Sequence, residues 1–184
     1  MEQQHSLSAP KDKPDAHPLA ILRERLSSLA GGAGASVTAG HADLAPDLWL
    51  STDPDGQGAM SCQPGENGFV LRLQDGDSGG WACLGMRFSP RALAETRYLG
   101  LLVALSEGGT VSFTPTLRYL FEDGMRDVPA AEPVFLAGNG VSFLAHIPVD
   151  AEALGRAIGC ELNLFFHDNA FAVTFRTLEP LRII

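Results

Sequence analysis

Polar side chains with several hydrogen-bonding atoms recur at alternating positions of several predicted strands, together with one tryptophan. Because successive residues of a strand point to opposite faces of a sheet, the alternation separates an apolar face from a polar one. The predicted ligand-binding residues of the polar face are Trp81, Arg87, Arg118, Asn163 and Arg176. Arginine offers planar forked donors, asparagine a donor and an acceptor, and indole an apolar stacking face. This combination suits rings of hydroxyl groups, so we expect a carbohydrate ligand.

Purely structural roles would produce the same alternation of polar and apolar residues. An outer sheet face in contact with solvent is polar in any case. Trp81 could instead plug the core at the start of a strand. Arg87 and Arg118 could pair with Glu122 or Glu161, which would make them scaffold and not ligand contacts.

Two acidic segments that contain glycine are weak candidates for a calcium site. The carboxylates concerned are Asp53, Asp55, Asp75 and Asp77. Calcium takes about six to eight oxygen ligands, and Asp-Gly clusters more often form turns. We therefore expect no cofactor, with calcium as the low-ranking alternative.

The sequence gives little support to catalysis. His146 and His167 are isolated from any Ser or Cys nucleophile, and no Gly-x-Ser-x-Gly elbow or His-x-His spacing occurs. The acidic residues between Glu122 and Asp127 suggest a carboxylate pair, but they are first of all a predicted hairpin turn around Gly124. We expect a protein without enzymatic activity, and a small hydrolase or isomerase remains the alternative.

Composition excludes several classes of partner. The chain has 184 residues, a formal net charge of −9 and a pI near 4.9, which argues against nucleic acid. No apolar run approaches the roughly 20 residues that span a bilayer, and the N-terminus lacks the apolar core of a secretory signal. We expect synthesis in the cytoplasm, with the three cysteines as buried reduced thiols.

The chain divides into four predicted segments. Residues 1–17 are polar and proline-containing, typical of a disordered tail. Residues 18–30 form a short amphipathic helix with a heptad-like seam of Leu19, Leu22, Leu26 and Leu29. The seam could join chains in an oligomer, anchor a larger assembly, or dock on the protein's own β domain. Residues 31–46 are a predicted glycine-rich hinge, and residues 47–184 a β domain.

The β domain is a succession of short apolar-rich segments separated by Gly, Pro, Asn and Asp. About eight or nine strands at spacings of roughly ten residues are typical of an all-β sandwich or jelly roll. Asp150 is a predicted N-cap that interrupts the strands with a short helix.

Four segments carry a resemblance at the level of pattern. They are Trp81–Phe88, Tyr98–Leu105, Leu117–Tyr119 and Leu162–Phe166. In layout the β domain resembles carbohydrate-binding jelly-roll modules, which implies non-catalytic glycan binding on a sheet face or at the loop end.

The tail, heptad helix, hinge and β domain together also look like spike or fibre subunits of phage-like particles. That resemblance implies an N-terminal anchor, a homo-oligomer such as a trimer, and display on a particle after release from the cell. The alternative from a different functional class is a structural assembly protein that binds no small ligand.

Overall fold

The computed structural model describes residues 18–74, 80–106 and 108–184. In chain order the elements are α1 (Pro18–Ser28), β1 (Ala35–Thr38), β2 (Gly40–Ala45), β3 (Leu48–Thr52), β4 (Ala59–Gly65), β5 (Gly68–Gln74), β6 (Ala82–Phe88), a 3-10 turn (Pro90–Leu93), β7 (Tyr98–Leu105), β8 (Thr110–Phe121), β9 (Gly124–Pro129), β10 (Val134–Ala137), β11 (Ser142–Pro148), α2 (Ala151–Arg156), β12 (Gly159–Phe166) and β13 (Phe171–Ile183). The predicted tail, residues 1–17, lies outside the described residues.

The strands form two antiparallel sheets packed face to face, which confirms the predicted all-β sandwich class. The smaller sheet has the order β1-β4-β5-β13-β7-β11. The larger has the order β10-β8-β12-β6-β3-β2, with β9 also paired to β8. The described residues thus contain 13 strands, more than the eight or nine expected. The additional strands β1, β2, β4 and β9 are short or rich in small and polar residues, which weakens their alternating pattern.

The last two strands of the chain occupy interior positions of the two sheets. β12 lies between β6 and β8, and β13 lies between β5 and β7. Both neighbours of each strand therefore come earlier in the sequence. Because β12 is covered on both edges, its outward side chains lie in the middle of the larger sheet's outer face.

The leucine seam of α1 docks on the protein's own sandwich. Leu19, Leu22, Leu26 and Leu29 belong to the hydrophobic core, and none is more than 6 % exposed. The segment predicted as a hinge, residues 31–46, instead contains β1 and β2, one at the edge of each sheet. Glycine content hid these strands, because a strand at a sheet edge needs few apolar residues. No helix of the described residues is long and apolar enough to span a bilayer.

Two local predictions are confirmed by hydrogen bonds and backbone geometry. Asp150 caps α2, since its Oδ1 accepts the backbone N–H of Ala153 at 3.0 Å. The backbone N–H of Asp150 in turn donates to the hydroxyl of the buried Tyr119 at 2.8 Å. The β8–β9 hairpin turns at Gly124, whose φ of 156° favours glycine.

Candidate functional site

A polar groove lies on the outer face of the larger sheet, over the adjacent strands β3, β6, β12 and β8. Strand pairing sorts its side chains into rows that run across the sheet. The first row is Arg87, Glu161, Arg118 and Asp127, each directly opposite the next. The second row contains Trp49, Gly85, Asn163 and Thr116. The third contains Ser51, Cys83, Phe165 and Thr114.

The charges of the first row alternate in sign and pair with one another. Arg87 donates to Glu161 Oε1 through Nε at 3.1 Å and Nη2 at 2.6 Å. Arg118 binds Asp127 through two parallel bonds of 2.7 and 2.8 Å. The hydrogen bond to Asp127 is the main cause that raises the pKa of Arg118 above its ordinary value.

Glu161 is the buried member of this row. Its side chain is 8 % exposed, whereas that of Arg87 is 55 % exposed. Glu161 Oε2 lies 4.0 Å from Arg118 Nη1, which is too long for a hydrogen bond. Glu161 Oε2 can therefore still accept a hydrogen bond, although the carboxylate lies between two guanidinium groups.

Trp49 lies over the backbone of Gly85 on the neighbouring strand. A Cβ atom at Gly85 would stand 2.2 Å from Cε2 of the indole ring, so only glycine admits the ring at this position. The guanidinium of Arg87 lies 5.7 Å from the ring centroid and the His41 ring 5.9 Å from it. The ring is held between these neighbours and the sheet, and Trp49 is one of the residues that line the groove.

Asn163 lies at the floor of the groove with half of its amide unsatisfied. It is 2 % exposed, and its Oδ1 accepts the thiol of Cys83 at 3.4 Å. Its Nδ2 has no hydrogen-bond partner among the described residues. Buried amide groups are nearly always paired, and leaving one unpaired destabilises a fold by about 1–3 kcal/mol. This unpaired donor belongs to a side chain that lines the groove, so a ligand oxygen is a partner that could satisfy it.

The groove has a volume of about 330 Å³. Its lining residues are Trp49, Ser51, Trp81, Cys83, Arg118, Glu161, Asn163 and Phe165. The volume falls at the lower end of the range for small-molecule sites. Two tryptophans and a phenylalanine stand beside an amide, a carboxylate and a guanidinium, which combines stacking surfaces with hydrogen-bonding groups.

The structure brings four of the five predicted binding residues to this face. Trp81, Arg118 and Asn163 line the groove, and Arg87 stands beside it against Trp49. Arg176 does not join them. It lies on β13 of the other sheet, where its Nη2 donates to the carbonyl of Gly140 at 3.2 Å.

The alternative in which Arg87 and Arg118 form ion pairs with nearby glutamates is correct in part. Arg87 does pair with Glu161, as that alternative expected, but Arg118 takes Asp127 and not Glu122 as its main partner. Trp49 and Asp127 are absent from the site residues predicted from the sequence. The signals that could have found them were the alternation of Trp49 with Leu48 and Leu50, and the Gly124 hairpin, which sets Arg118 opposite Asp127.

The calcium candidates that the structure describes are engaged in a turn. Asp53 Oδ1 accepts the N–H of Asp55 at 3.0 Å and Oδ2 that of Gly80 at 2.7 Å. These two bonds, that of Gly80 first, lower the pKa of Asp53. Asp75 and Asp77 lie outside the described residues. Within the described ranges, no group of three or more His, Cys, Asp and Glu side chains is placed to hold a metal ion.

The two histidines considered for catalysis lie in different places. His167 Nε2 bonds to the hydroxyl of Thr114 at 2.7 Å, and the neighbouring Asp168 accepts both the N–H and the hydroxyl of Ser112. His146 packs edge-on against Tyr98 on the other sheet. Neither histidine is among the residues that line the groove.

No family model matches the sequence, and no curated protein matches it. Solved structures of similar arrangement include the family 11 carbohydrate-binding module from Clostridium thermocellum, with 8 % identity, a TM-score of 0.46, and coverage of 82 % of this chain and 96 % of that one. The family 30 carbohydrate-binding module of a Clostridium thermocellum cellulosomal cellulase has 16 % identity, a TM-score of 0.45, and coverage of 80 % and 93 %. The enzymatically active domain of tailspike protein 4 from bacteriophage CBA120 has 14 % identity, a TM-score of 0.35, and coverage of 86 % and 20 %. The structural neighbours of the chain thus include carbohydrate-binding modules, the class that the sequence pattern resembles.

Proposed function

We propose that the groove binds a neutral carbohydrate and performs no chemistry on it. The observation that carries this proposal is the unpaired Nδ2 of Asn163 on a groove floor flanked by Trp49 and Trp81. A sugar supplies both complementary features, because its oxygens accept hydrogen bonds and its C–H faces stack on indole rings. Glu161 Oε2, which has acceptor capacity left, suits a hydroxyl donor.

The charge pattern of the groove favours an uncharged ligand. Arg87 is engaged by Glu161, and Arg118 by Asp127, so the four charges of the row cancel. A uronic acid would find no uncompensated cation among the described groove residues, and the chain as a whole carries a net charge of −9. Burying an unpaired carboxylate there would be unfavourable.

The test is a binding assay of the full chain against neutral polysaccharides (glucans, galactans and mannans) and against the acidic polygalacturonate and alginate. Trp49→Ala and Trp81→Ala each remove a stacking face and are expected to weaken neutral binding roughly tenfold or more. Phe143→Ala is the matched control, because Phe143 is an exposed aromatic residue on the other sheet. Near-UV circular dichroism establishes that each variant is folded.

Three outcomes would contradict the proposal. The first is that the folded chain binds no neutral polysaccharide of the panel. The second is stronger binding of the acidic polymers than of the neutral ones. The third is that Trp49→Ala and Trp81→Ala weaken binding no more than Phe143→Ala does.

A second candidate, a structural assembly protein, is favoured by a different surface. Phe135 on β10 is 72 % exposed, and Val141, Phe143 and Leu144 beside or on β11 are exposed as well. β10 is one edge strand of the larger sheet and β11 is one edge strand of the smaller sheet, and apolar side chains at open edges promote pairing with another copy of the chain. Sedimentation as a monomer at high concentration would argue against this role. A spike or fibre subunit that displays the groove would combine self-association through these edges with carbohydrate binding.

A further inference from the structure

Cys83 and Asn163 form a hydrogen-bonded pair across two neighbouring strands. The thiol of Cys83 on β6 lies 3.4 Å from the Oδ1 atom of Asn163 on β12. Both residues are 2 % exposed, and both line the groove. One end of the Asn163 amide is thus satisfied by the protein, while Nδ2 is left without a partner among the described residues.

The chemistry of the two groups decides the direction of this bond. A carboxamide oxygen carries no proton, so the thiol must be the donor. Burial raises the pKa of the Cys83 thiol to about 12, so the thiol keeps its proton at neutral pH. In the opposite amide orientation, Nδ2 would face sulfur, a weak acceptor, and Oδ1 would lose its donor. A thiol is a weak donor as well as a weak acceptor, so the orientation is taken from the geometry, in which Oδ1 lies 3.4 Å from the sulfur of Cys83.

We propose that Cys83 is a positioning residue that determines specificity, because its thiol holds the Asn163 amide so that Nδ2 is offered to the ligand. This inference rests on the proposed function of the groove. It identifies the contacting atom of the ligand as a hydrogen-bond acceptor, such as a ring, glycosidic or hydroxyl oxygen. A group that only donates, such as an ammonium on an amino sugar, is rejected at this point.

The binding test compares two substitutions at Cys83, with the neutral polysaccharides of the panel as probes. Cys83→Ser keeps a donor beside Oδ1, whereas Cys83→Val fills a similar volume without one. We expect Cys83→Val to weaken binding roughly fivefold and Cys83→Ser to stay within about twofold of the unmodified chain. Equal affinities of the two variants would overturn the inference. If Cys83→Val does not fold, Cys83→Ala takes its place as the variant without a donor.

A second measurement needs no ligand. The ¹³Cγ resonance of Asn163 reports a hydrogen bond to Oδ1, and it can be identified by its absence from Asn163→Ala. In the free protein we expect this resonance to keep its position in Cys83→Ser and to move upfield in Cys83→Val. A resonance that is the same in all three proteins would show that the thiol does not hold the amide.

The two measurements separate failure of the inference from failure of the proposed function. If the chain binds none of the polysaccharides but the resonance moves as expected, the proposed function fails and the orientation of the amide stands. If the chain binds them and neither readout distinguishes serine from valine, the groove binds sugar without help from Cys83.

Discussion

Replacing Gly85 by alanine should displace Trp49 from the sheet. The added Cβ would stand 2.2 Å from the indole, far inside van der Waals contact, and the backbone of β6 cannot yield because it is paired on both sides. The ring must therefore lift off and expose one of its faces. Half of a buried tryptophan is on the order of 100 Å², which corresponds to about 2.5 kcal/mol at about 25 cal/mol per Å².

An opposing effect reduces this figure slightly. Alanine lowers the conformational entropy of the unfolded chain relative to glycine, which stabilises by about 0.5 kcal/mol. We therefore expect Gly85→Ala to lower the free energy of unfolding by about 2 kcal/mol, equivalent to roughly 4–8 °C in Tm for a chain of this size. Carbohydrate affinity should fall as well, since the stacking surface is displaced.

The assay is urea unfolding followed by circular dichroism in a double-mutant cycle with Trp49→Ala. Without the indole the burial loss disappears and only the stabilisation of about 0.5 kcal/mol remains, so the coupling energy is about 2.5 kcal/mol. Gly155→Ala in α2 is the control, because no neighbouring atom lies within 4 Å of its added Cβ. An equal loss of stability with and without Trp49 would refute the placement of the ring over Gly85.

Two further predictions concern the scaffold. Leu22→Ala should lower the free energy of unfolding by about 2–5 kcal/mol, and Ile21→Ala, at an exposed position, by less than about 1 kcal/mol. The leucines pack on their own sandwich, so Leu22→Ala should lose the same stability at every protein concentration; a loss that grows with concentration would place them between chains. The pKa of Asp150 is lowered, first by the N–H of Ala153, so its contribution to stability is complete above the ordinary carboxyl pKa and is lost as the pH falls below it. The Tm difference between the protein and Asp150→Asn should therefore shrink on acidification, and a difference that is constant with pH would contradict the assignment.

Alternation within single strands predicted much of the candidate site. It placed Cys83 and Arg87 on one face of their strand and Leu84 and Met86 on the other. In the structure, Leu84 and Met86 lie in the core. This works because the side-chain period of a strand is a local property. Strand neighbours are not local, so the sequence did not indicate that Trp49 on β3 lies beside Gly85 on β6.

Arg176 also shows that alternation within one strand does not reveal which strands are neighbours. Its strand alternates as regularly as the others in sequence, but β13 belongs to the smaller sheet and has an irregularity between Phe175 and Thr177. Sheet membership depends on long-range pairing, and a bulge reverses the facing of the residues that follow it. The hinge predicted at residues 31–46 was wrong for a related reason, since composition does not reveal a strand whose partner supplies the apolar contacts.

The interior placement of β12 and β13 has a consequence for synthesis on the ribosome. Neither sheet can be completed until residues 159–183 have emerged, because each of these strands fills a gap between two earlier ones. A nascent chain that ends before residue 159 has β5, β6, β7 and β8 without their central partners, with unpaired edges that favour aggregation. Completion of the fold should therefore wait for these residues and be slow, as expected for a fold dominated by contacts distant in sequence. Shortening the chain from its C-terminal side should abolish the whole fold, whereas a change confined to β1 or β2 should affect only an edge.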